Sequence, residues 1–252
     1  MARTIQLLRD GLPERPSVDT AVSRALLIQA SGGKAPETFR LHVPGRVLAF
    51  GKRDTLEPRY HQAAAIAQRS GFVPIERLAG GRAAVFHEGT LAFSWTIPTS
   101  DPRPGITARF EMLATLMVRA FERLGVASRV GEVPGEYCPG EFSVNHDGRV
   151  KLMGVGQRLA RSAAHIGGVV VVGDADLARR ALIPVYAALG LAWKPDTVGS
   201  LQMVSPSVTL DATATAIETE LATLGRVEPA ELHPETLELS ERLAPEHESP
   251  LG

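Results

Sequence analysis

Apolar residues recur every three or four positions in five stretches of the chain, which is the period of a helix with one buried face. The clearest stretch is 107–124, whose apolar stripe consists of Phe110, Leu113, Met117, Phe121 and Leu124. The other four predicted helices cover residues 17–30, 55–69, 174–189 and 211–224. We expect Pro184 to interrupt or kink the helix over 174–189, because proline lacks the N–H that a helix interior requires.

Short apolar or alternating segments lie between these helices and predict strands. They cover residues 39–43, 47–50, 72–76, 83–86, 91–97, 151–155 and 168–172. Since many strands follow one another with few helices between them, we expect an α+β fold whose mixed, largely antiparallel sheet is flanked by helices. A last helix is predicted near 234–243, and residues 245–252 are expected to fray.

The composition narrows the possible functions. A chain of 252 residues with 44% apolar residues fits one large domain. Its 27 Lys and Arg balance 28 Asp and Glu, which argues against a nucleic-acid binder held by bulk charge. The sequence contains no apolar run of about 18 residues, and Arg9 and Asp10 stand where a signal peptide would be apolar. We therefore expect a cytoplasmic protein that does not bind membranes.

The single cysteine, Cys138, excludes an intrachain disulfide and any multi-cysteine metal site, and no metal is expected. A lone cysteine is usually a small buried hydrophobic residue. This one lies among Pro134, Gly135, Pro139 and Gly140, which indicate an irregular loop. A reactive thiol there would need a nearby cation or helix terminus to lower its pKa. The residues alone leave both interpretations open.

Two further segments are candidates for a site. Residues 77–89 contain Gly80 and Gly81 before a β-prone run, which suits a backbone passing close to a ligand. From the residues alone the pattern is more typical of a loop and hairpin whose glycines only supply positive φ, and it is not a phosphate-binding loop. Lys151 opens a second β-prone segment, where it either lies in solvent or holds a carbonyl or phosphate oxygen at the edge of a site.

Taken together, these segments resemble the lipoate–protein ligase/octanoyltransferase family, which shares its catalytic fold with biotin protein ligases. The match includes the Arg-x-x-Gly-Gly…His-Glu-x-Gly signature over 77–89 with Leu-Ala-Phe-Ser after it, the strand and turn over 47–54, and Lys-x-x-Gly-x-x-Gln over 151–157. It extends from about residue 17 to 172. The resemblance implies a single catalytic domain over 1–252, with a core of about 17–178. Residues 179–252 would complete it with helices or form a small cap.

The Tyr-Cys-Pro-Gly sequence around Cys138 is similar to the cysteine-dependent octanoyl/lipoyl amidotransferase branch, in which that cysteine carries the acyl group as a thioester. ATP-dependent ligases of this fold typically have a third glycine where this chain has Arg82, and asparagine in place of Thr90. The resemblance therefore implies an acyltransferase that passes an octanoyl or lipoyl group through Cys138 to a lysine of a lipoyl-bearing protein.

By the same resemblance, Cys138 and Lys151 are the catalytic pair, with Lys151 at the acyl carbonyl. The implied substrate-binding residues are Arg77, Gly80, Gly81, Arg82, His87, Gly154 and Gln157. The partners would be glycine-cleavage H protein and 2-oxoacid dehydrogenase E2 subunits, with acyl-carrier protein as another donor. Such domains are commonly acidic, and candidates to attract them are Arg158, Arg161, Arg179 and Arg180. Taken singly, each of these arginines is more typical of an ordinary solvated basic residue.

Two alternatives remain at this stage. An ATP-dependent lipoate–protein ligase would use ATP and Mg, whereas the transferase requires no cofactor. A non-catalytic relative would only bind the carrier protein. The sequence leaves open the acyl donor, the native acceptor and the choice between octanoyl and lipoyl groups.

Overall fold

A computed structural model of the chain describes residues 3–250. The strands are β1 (Thr4–Leu8), β2 (Thr38–His42), β3 (Val47–Phe50), β4 (Val73–Glu76), β5 (Ala84–Phe86), β6 (Thr90–Pro98), β7 (Arg129–Val130), β8 (Val144–His146), β9 (Val150–Leu159), β10 (Ala163–Val171) and β11 (Arg226–Ala230). The helices are α1 (Pro16–Ser31), α2 (Tyr60–Arg69), α3 (Ile106–Arg123), α4 (Ala175–Leu189), α5 (Leu201–Val204), α6 (Leu210–Leu221) and α7 (Pro234–Leu243). Short 3-10 turns cover Asp54–Leu56, Pro195–Thr197 and Ala244–His247.

The strands form two sheets. The larger has the order β11-β1-β2-β6-β10-β9-β8-β7, and the smaller has the order β4-β3-β5. In the large sheet β1 runs parallel to both β2 and β11, and the remaining pairs are antiparallel. The expected mixed, largely antiparallel α+β architecture is therefore confirmed.

Neighbouring positions on the central strands of the large sheet point to opposite faces. One face is apolar and packs in a single core with α3 and α6; it includes Phe39, Leu41, Phe93, Trp95 and Ile166. The alternate positions in the same register carry Arg40, His42, Ser94 and His165. These polar residues are buried as well. Both faces are thus buried, but only one of them consists mainly of apolar side chains.

Two predicted helices differ from the observed ones at proline. The predicted helix over 55–69 begins only at Tyr60, after the 3-10 turn Asp54–Leu56, because Pro58 restricts the backbone before it. Of the two outcomes expected at Pro184, the interruption is wrong, since α4 continues through that residue, and the kink stays a prediction. Leu182, Val185 and Tyr186 of this helix are buried, and their packing offsets the lost backbone hydrogen bond.

The end of the chain packs against the rest of the molecule as far as it is described. Strand β11 extends the large sheet beside β1, and α7 packs against α1. The expected fraying of 245–252 is wrong for residues 245–250. Glu248 forms a β-bridge with Ile75, and Ser249 shares a 2.8 Å hydrogen bond with the Tyr60 hydroxyl. Residues 251–252 lie outside the described range.

Among residues 3–250, there is no helix with the length and apolar character that crossing a bilayer requires.

Candidate active site

Cys138 lies in the loop between β7 and β8, which we call the cysteine loop (residues 131–143). Its φ of +42° is in the left-handed region, which non-glycine residues seldom adopt and which often marks a functional position. The Cys138 N–H donates to the Tyr186 hydroxyl at 2.8 Å, and that hydroxyl donates to the Ala83 carbonyl at 2.9 Å. The unusual backbone conformation is therefore fixed by α4 and by the start of β5.

A buried carboxylate, Glu136, holds the cysteine loop from inside. Its Oε1 accepts hydrogen bonds from Ser143 Oγ at 2.6 Å and from the Gly140 N–H at 3.1 Å. Its Oε2 accepts from the Val133 N–H at 3.1 Å. Since these donors lie before and after Cys138, one carboxylate fixes both sides of the loop.

Lys151 pairs with this carboxylate from strand β9. Its Nζ lies 3.0 Å from Glu136 Oε1, and both side chains are almost completely buried. The same ammonium donates to the carbonyl oxygens of Tyr137 at 3.1 Å and Cys138 at 2.7 Å. Three acceptors thus satisfy its three N–H groups, so none of these donors is left buried without a partner.

The Cys138 sulfur accepts two hydrogen bonds from the glycine-containing segment, residues 77–82. Arg77 Nη2 and the backbone N–H of Arg82 each lie 3.2 Å from Sγ. Gly81 lies between them with a φ of +105°. A Cβ at Gly81 would be 2.8 Å from Sγ and would overlap the Arg77 guanidinium. Glycine is therefore required here both by backbone conformation and by the close approach of the sulfur.

These contacts set the ionisation of the thiol. Burial by itself raises the pKa of Cys138, but the positive charges of Arg77 and Lys151, together with the Arg82 N–H, outweigh it and bring the pKa below its usual value. A larger fraction of the sulfur is therefore thiolate at neutral pH than in a free cysteine. The thiolate is the nucleophilic form, so the geometry suits covalent acyl transfer.

The Arg82 side chain ties this segment to the turn after β3. Its Nη1 lies 2.7 Å from Glu57 Oε1 and 3.3 Å from the buried Asp54 Oδ1. Asp54 also accepts from the Gly51 N–H at 2.9 Å. The ion pairs of the Arg82 side chain with Glu57 and Asp54 thus help to hold the Arg82 backbone N–H in place beside the sulfur.

A cavity of about 690 Å³, including its open mouth, lies beside Arg77. The small sheet lines one wall with the apolar side chains of Val47, Ala49, Ile75 and Phe86. The polar face of the large sheet lines the other wall with Arg40, His42, Ser94 and His165. Arg77 lines the cavity and also contacts the sulfur, so this one side chain links the cavity with Cys138, which is not itself a lining residue.

A buried ion pair anchors the polar wall. Asp19 of α1 lies 2.5 Å from Arg40 Nη2 and 2.9 Å from His42 Nε2. Burial alone would raise the pKa of Asp19, but Arg40 and His42 hold it well below its usual value. The carboxylate therefore stays ionised.

The structure brings several of the predicted site residues together and leaves others apart. Arg77, Gly81, Arg82 and Lys151 meet at Cys138. Gly154 lies against Lys151, where a Cβ would be 3.0 Å from the lysine Cε. Gly80 instead lies against Gly156 of β9. A Cβ added to Gly156 would be 3.2 Å from the Gly80 carbonyl oxygen.

His87 and Gln157 do not contact the sulfur. His87 is buried outside the residues that line the cavity, and its Nδ1 accepts from the Gly89 N–H at 3.0 Å. Gln157 accepts from Arg109 Nε at 2.7 Å and donates to the Ile106 carbonyl at 3.1 Å. Their part in substrate binding stays a prediction.

Several residues of the site were not predicted from the sequence; they are Asp19, Arg40, His42, Glu136, His165 and Tyr186. Only Glu136 had a nearby signal, since it lies two positions before Cys138. In the described part of the chain, no three His, Cys, Asp or Glu side chains form a group that could hold a metal ion.

Comparison with known proteins adds to this geometry. The family model for the lipoyl protein ligase A/B catalytic domain matches residues 15–222. The octanoyl-[GcvH]:protein N-octanoyltransferase of Anoxybacillus flavithermus is 28% identical over 235 residues, which cover 87% of this chain and 84% of that protein. The lipoyl-[GcvH]:protein N-lipoyltransferase of Listeria monocytogenes is 25% identical over 190 residues, covering 71% and 68%.

A solved structure has the same fold. Protein Ta0514 from T. acidophilum, described as a putative lipoate protein ligase, superposes with a TM-score of 0.77 at 18% identity, covering 98% of this chain and 95% of that one. At this identity the likeness establishes the fold alone, and it agrees with the ligase-like architecture that the motifs predicted.

Proposed function

The chain belongs to the lipoyl protein ligase A/B catalytic domain family, as the motifs predict, and we propose that it is an acyltransferase that moves an octanoyl or lipoyl group through a thioester at Cys138. The observation that carries the proposal is the Cys138 sulfur, which accepts hydrogen bonds from two N–H groups, one of them on Arg77, a residue that also lines a cavity with one apolar wall. As the donor we propose an acylated glycine-cleavage H protein, which the names of the relatives support. The acceptor is a lysine of another lipoyl-bearing protein, such as an E2 domain.

The reaction is two acyl exchanges. The Cys138 thiolate attacks the acyl carbonyl carbon, a C–S bond forms, and the C–N bond to the donor lysine breaks as its nitrogen takes up a proton. The acceptor lysine, as the free amine, then attacks the thioester. A new C–N bond forms, the C–S bond breaks, the amine loses a proton and the thiolate returns. Because one amide replaces another, the overall exchange needs no cofactor.

The surroundings of the sulfur suit both steps. When the sulfur becomes a thioester it loses its negative charge, so the N–H groups of Arg77 and Arg82 become available to the oxyanion of the tetrahedral intermediate. We also propose that Lys151 acts at the acyl carbonyl; the position of its ammonium beside the Cys138 backbone supports this role. To reach the substrate it must exchange one of its present acceptors. Its second proposed role is to keep the cysteine loop in position through Glu136.

Intact-mass measurement tests the proposal. We expect incubation with octanoylated or lipoylated H protein to add one acyl group to the parent chain and none to C138A. Addition of an unmodified E2 lipoyl domain should then remove the adduct and acylate that domain. Acyl-carrier protein thioester serves as a second donor.

Three results would contradict the proposal. Full activity of C138A with ATP and free lipoate would favour the ligase. Tight carrier binding without any adduct would favour a relative that only binds. Transfer to the acceptor by C138A without ATP would show that the thioester is not an intermediate.

The ionisation of the thiol gives an independent test. We expect R77M to move the pH profile of Cys138 alkylation by iodoacetamide towards higher pH, because the loss of a cation disfavours the thiolate and raises the thiol pKa. R69M is the matched control, since Arg69 is exposed at the end of α2. An identical profile in R77M and the parent would remove Arg77 from the activation of the sulfur.

The proposal places the enzyme in the cytoplasm, where H protein and E2 subunits would meet it. It also treats residues 1–252 as one catalytic domain, supported by the contacts of β11 and α7 with the N-terminal part of the chain.

A further inference from the structure

Tyr186 of α4 contacts Cys138 from 48 positions further along the chain, and its side chain is buried. The hydroxyl oxygen accepts the Cys138 N–H at 2.8 Å. The same hydroxyl donates its hydrogen to the carbonyl oxygen of Ala83 at 2.9 Å. One hydroxyl therefore joins the backbone of the cysteine loop to the backbone that leads into β5.

These two hydrogen bonds complete a closed ring that includes the sulfur. Ala83 follows Arg82, whose backbone N–H donates to the Cys138 sulfur at 3.2 Å. The ring runs from the sulfur to the Arg82 N–H, along the chain to the Ala83 carbonyl, and through the Tyr186 hydroxyl to the Cys138 N–H. The position of the sulfur relative to its backbone donor therefore depends on this hydroxyl.

The backbone of Cys138 requires such a support. A left-handed conformation costs a non-glycine residue about 1–3 kcal/mol and persists only where the surroundings hold it. Here Tyr186 holds the N–H of the residue, and Lys151 holds its carbonyl oxygen at 2.7 Å. If the hydroxyl is removed, the backbone on the N–H side of Cys138 loses its partner and is free to turn.

The phenol itself is well fixed. Its ring packs against Trp193 with centroids 5.1 Å apart, and Trp193 also meets Tyr137 edge to face at 6.2 Å. Burial raises the pKa of Tyr186 well above its usual value, so the hydroxyl keeps its hydrogen and remains a donor to Ala83. Tyr186 is thus a neutral group that holds two backbones and does not act as an acid or a base.

We propose that Tyr186 is a positioning residue of the transferase, whose hydroxyl holds Cys138 in the left-handed conformation that places the sulfur against its N–H donors. The inference rests on the proposed function and adds to it a residue that acts through the Cys138 backbone. Both acyl exchanges require the sulfur in this place, first as the attacking thiolate and then as the leaving group.

The pH profile of Cys138 alkylation by iodoacetamide tests the proposal. We expect the alkylation rate of Y186F at pH 7 to be about 2- to 10-fold below that of the parent, the range for losing one hydrogen bond. The charged groups around Cys138, which are Arg77, Lys151 and Glu136, remain in this variant. The deficit should disappear at high pH, where both thiols are fully ionised. An equal deficit at every pH would show damage to the loop instead, and would overturn the inference.

Y60F is the matched control. Tyr60 is also a buried tyrosine, and its hydroxyl contacts Ser249 at 2.8 Å and Glu76 at 3.2 Å instead of the cysteine loop. Its alkylation profile should equal that of the parent. In transfer from acylated H protein, Y186F should lower kcat and leave the KM for the donor unchanged, because a buried hydroxyl does not touch the carrier.

A parent-like alkylation profile in folded Y186F would overturn the inference while leaving the acyltransferase in place. If Y186F does not fold, 3-fluorotyrosine at position 186 decides, since fluorine withdraws electrons from the hydroxyl oxygen and weakens it as an acceptor. A deficit that narrows at high pH would support the inference, and a parent-like profile would overturn it. Absence of any adduct in the parent with either donor would instead overturn the proposed function, and the inference with it.

Discussion

The two faces of the eight-stranded sheet are both buried, yet they are built from opposite kinds of side chain. On one face, Phe39 and Trp95 meet edge to face with ring centroids 5.5 Å apart inside the main core. On the other, Arg40 and His42 pair with Asp19, and Ser94 lies beside them in register. The apolar face packs against α3 and α6, whereas the polar face lines the cavity.

The difference separates stability from function. Apolar side chains on the core face need no hydrogen-bond partner when they are removed from water, so their burial stabilises the fold directly. Every polar group on the cavity face must be desolvated and then paired, which yields little net stability and leaves some atoms unpaired. Such a face is retained when a ligand completes it. The comparison predicts that substitutions on the two faces change different measurable quantities.

The largest expected effect is on the core face. F39A should lower the free energy of unfolding by about 3–5 kcal/mol, because it leaves a cavity where a fully buried ring packed. Urea denaturation measures this. The pH profile of Cys138 alkylation should not move, since Phe39 points away from the site. A shifted alkylation profile in folded F39A would show that the two faces are not independent.

Breaking the ion pair on the cavity face should cost about as much, for a different reason. R40M leaves the buried Asp19 carboxylate without its cation, which typically costs about 3–5 kcal/mol. The double variant D19L/R40M should regain a large part of that loss, because no unpaired charge remains. If the double variant is as unstable as the single one, the loss comes from packing, and the cavity face behaves like the core face.

The pH dependence of stability sharpens the contrast. Burial lowers the pKa of His165 to about 4 from a usual 6.5. Between pH 6.5 and pH 4 this histidine binds a proton in the unfolded chain but not in the folded one. The free energy of unfolding therefore falls as the pH falls through this range, and His165 accounts for about 3 kcal/mol of the decrease. Above pH 6.5 the ring is neutral in both states, so the protein keeps this part of its stability in full.

H165Q should therefore show a flatter stability curve than the parent between pH 7 and pH 4. F39A, which removes no titratable group, should lower the curve by a similar amount at each pH. Urea denaturation at several pH values distinguishes the two. Parallel curves for H165Q and the parent would mean that folding does not lower the pKa of His165.

The core face and the cavity face also differ in how well the sequence predicts them. Helices α3 and α6 and strands β2, β6, β9 and β10 of the core face were recognised because their apolar residues repeat at the period of the element; α3 differs from its predicted bounds by one residue at each end. The short elements β7, β8 and α5 were not predicted. Strands β1 and β11 were missed. They pair with each other across the whole chain, and no local pattern encodes such a partner.

The site was predicted where its chemistry is local in sequence. The glycines, Arg77, Cys138 and Lys151 form short motifs, and the structure brings them together. The cavity wall was not predicted, because a charged residue that alternates with apolar ones in a strand, such as Arg40 in β2, indicates a solvent-facing position. Its burial depends on α1 and the small sheet covering that face, which no single strand reveals.

The smallest expected effect belongs to Ser94, at the centre of the cavity face. Its hydroxyl lies 3.3 Å from that of Ser23 in α1, and both residues line the cavity. S94A removes one hydrogen bond between neutral groups, and the Ser23 hydroxyl can still reach the cavity, so unfolding should become easier by only about 0.5–1.5 kcal/mol. Differential scanning calorimetry would resolve this loss, and a matched core variant on the same strand, L91A, should lose about 2–5 kcal/mol. If S94A were as costly as L91A, the hydroxyl pair would be part of the structural core, and the cavity face could no longer be described as built for a ligand.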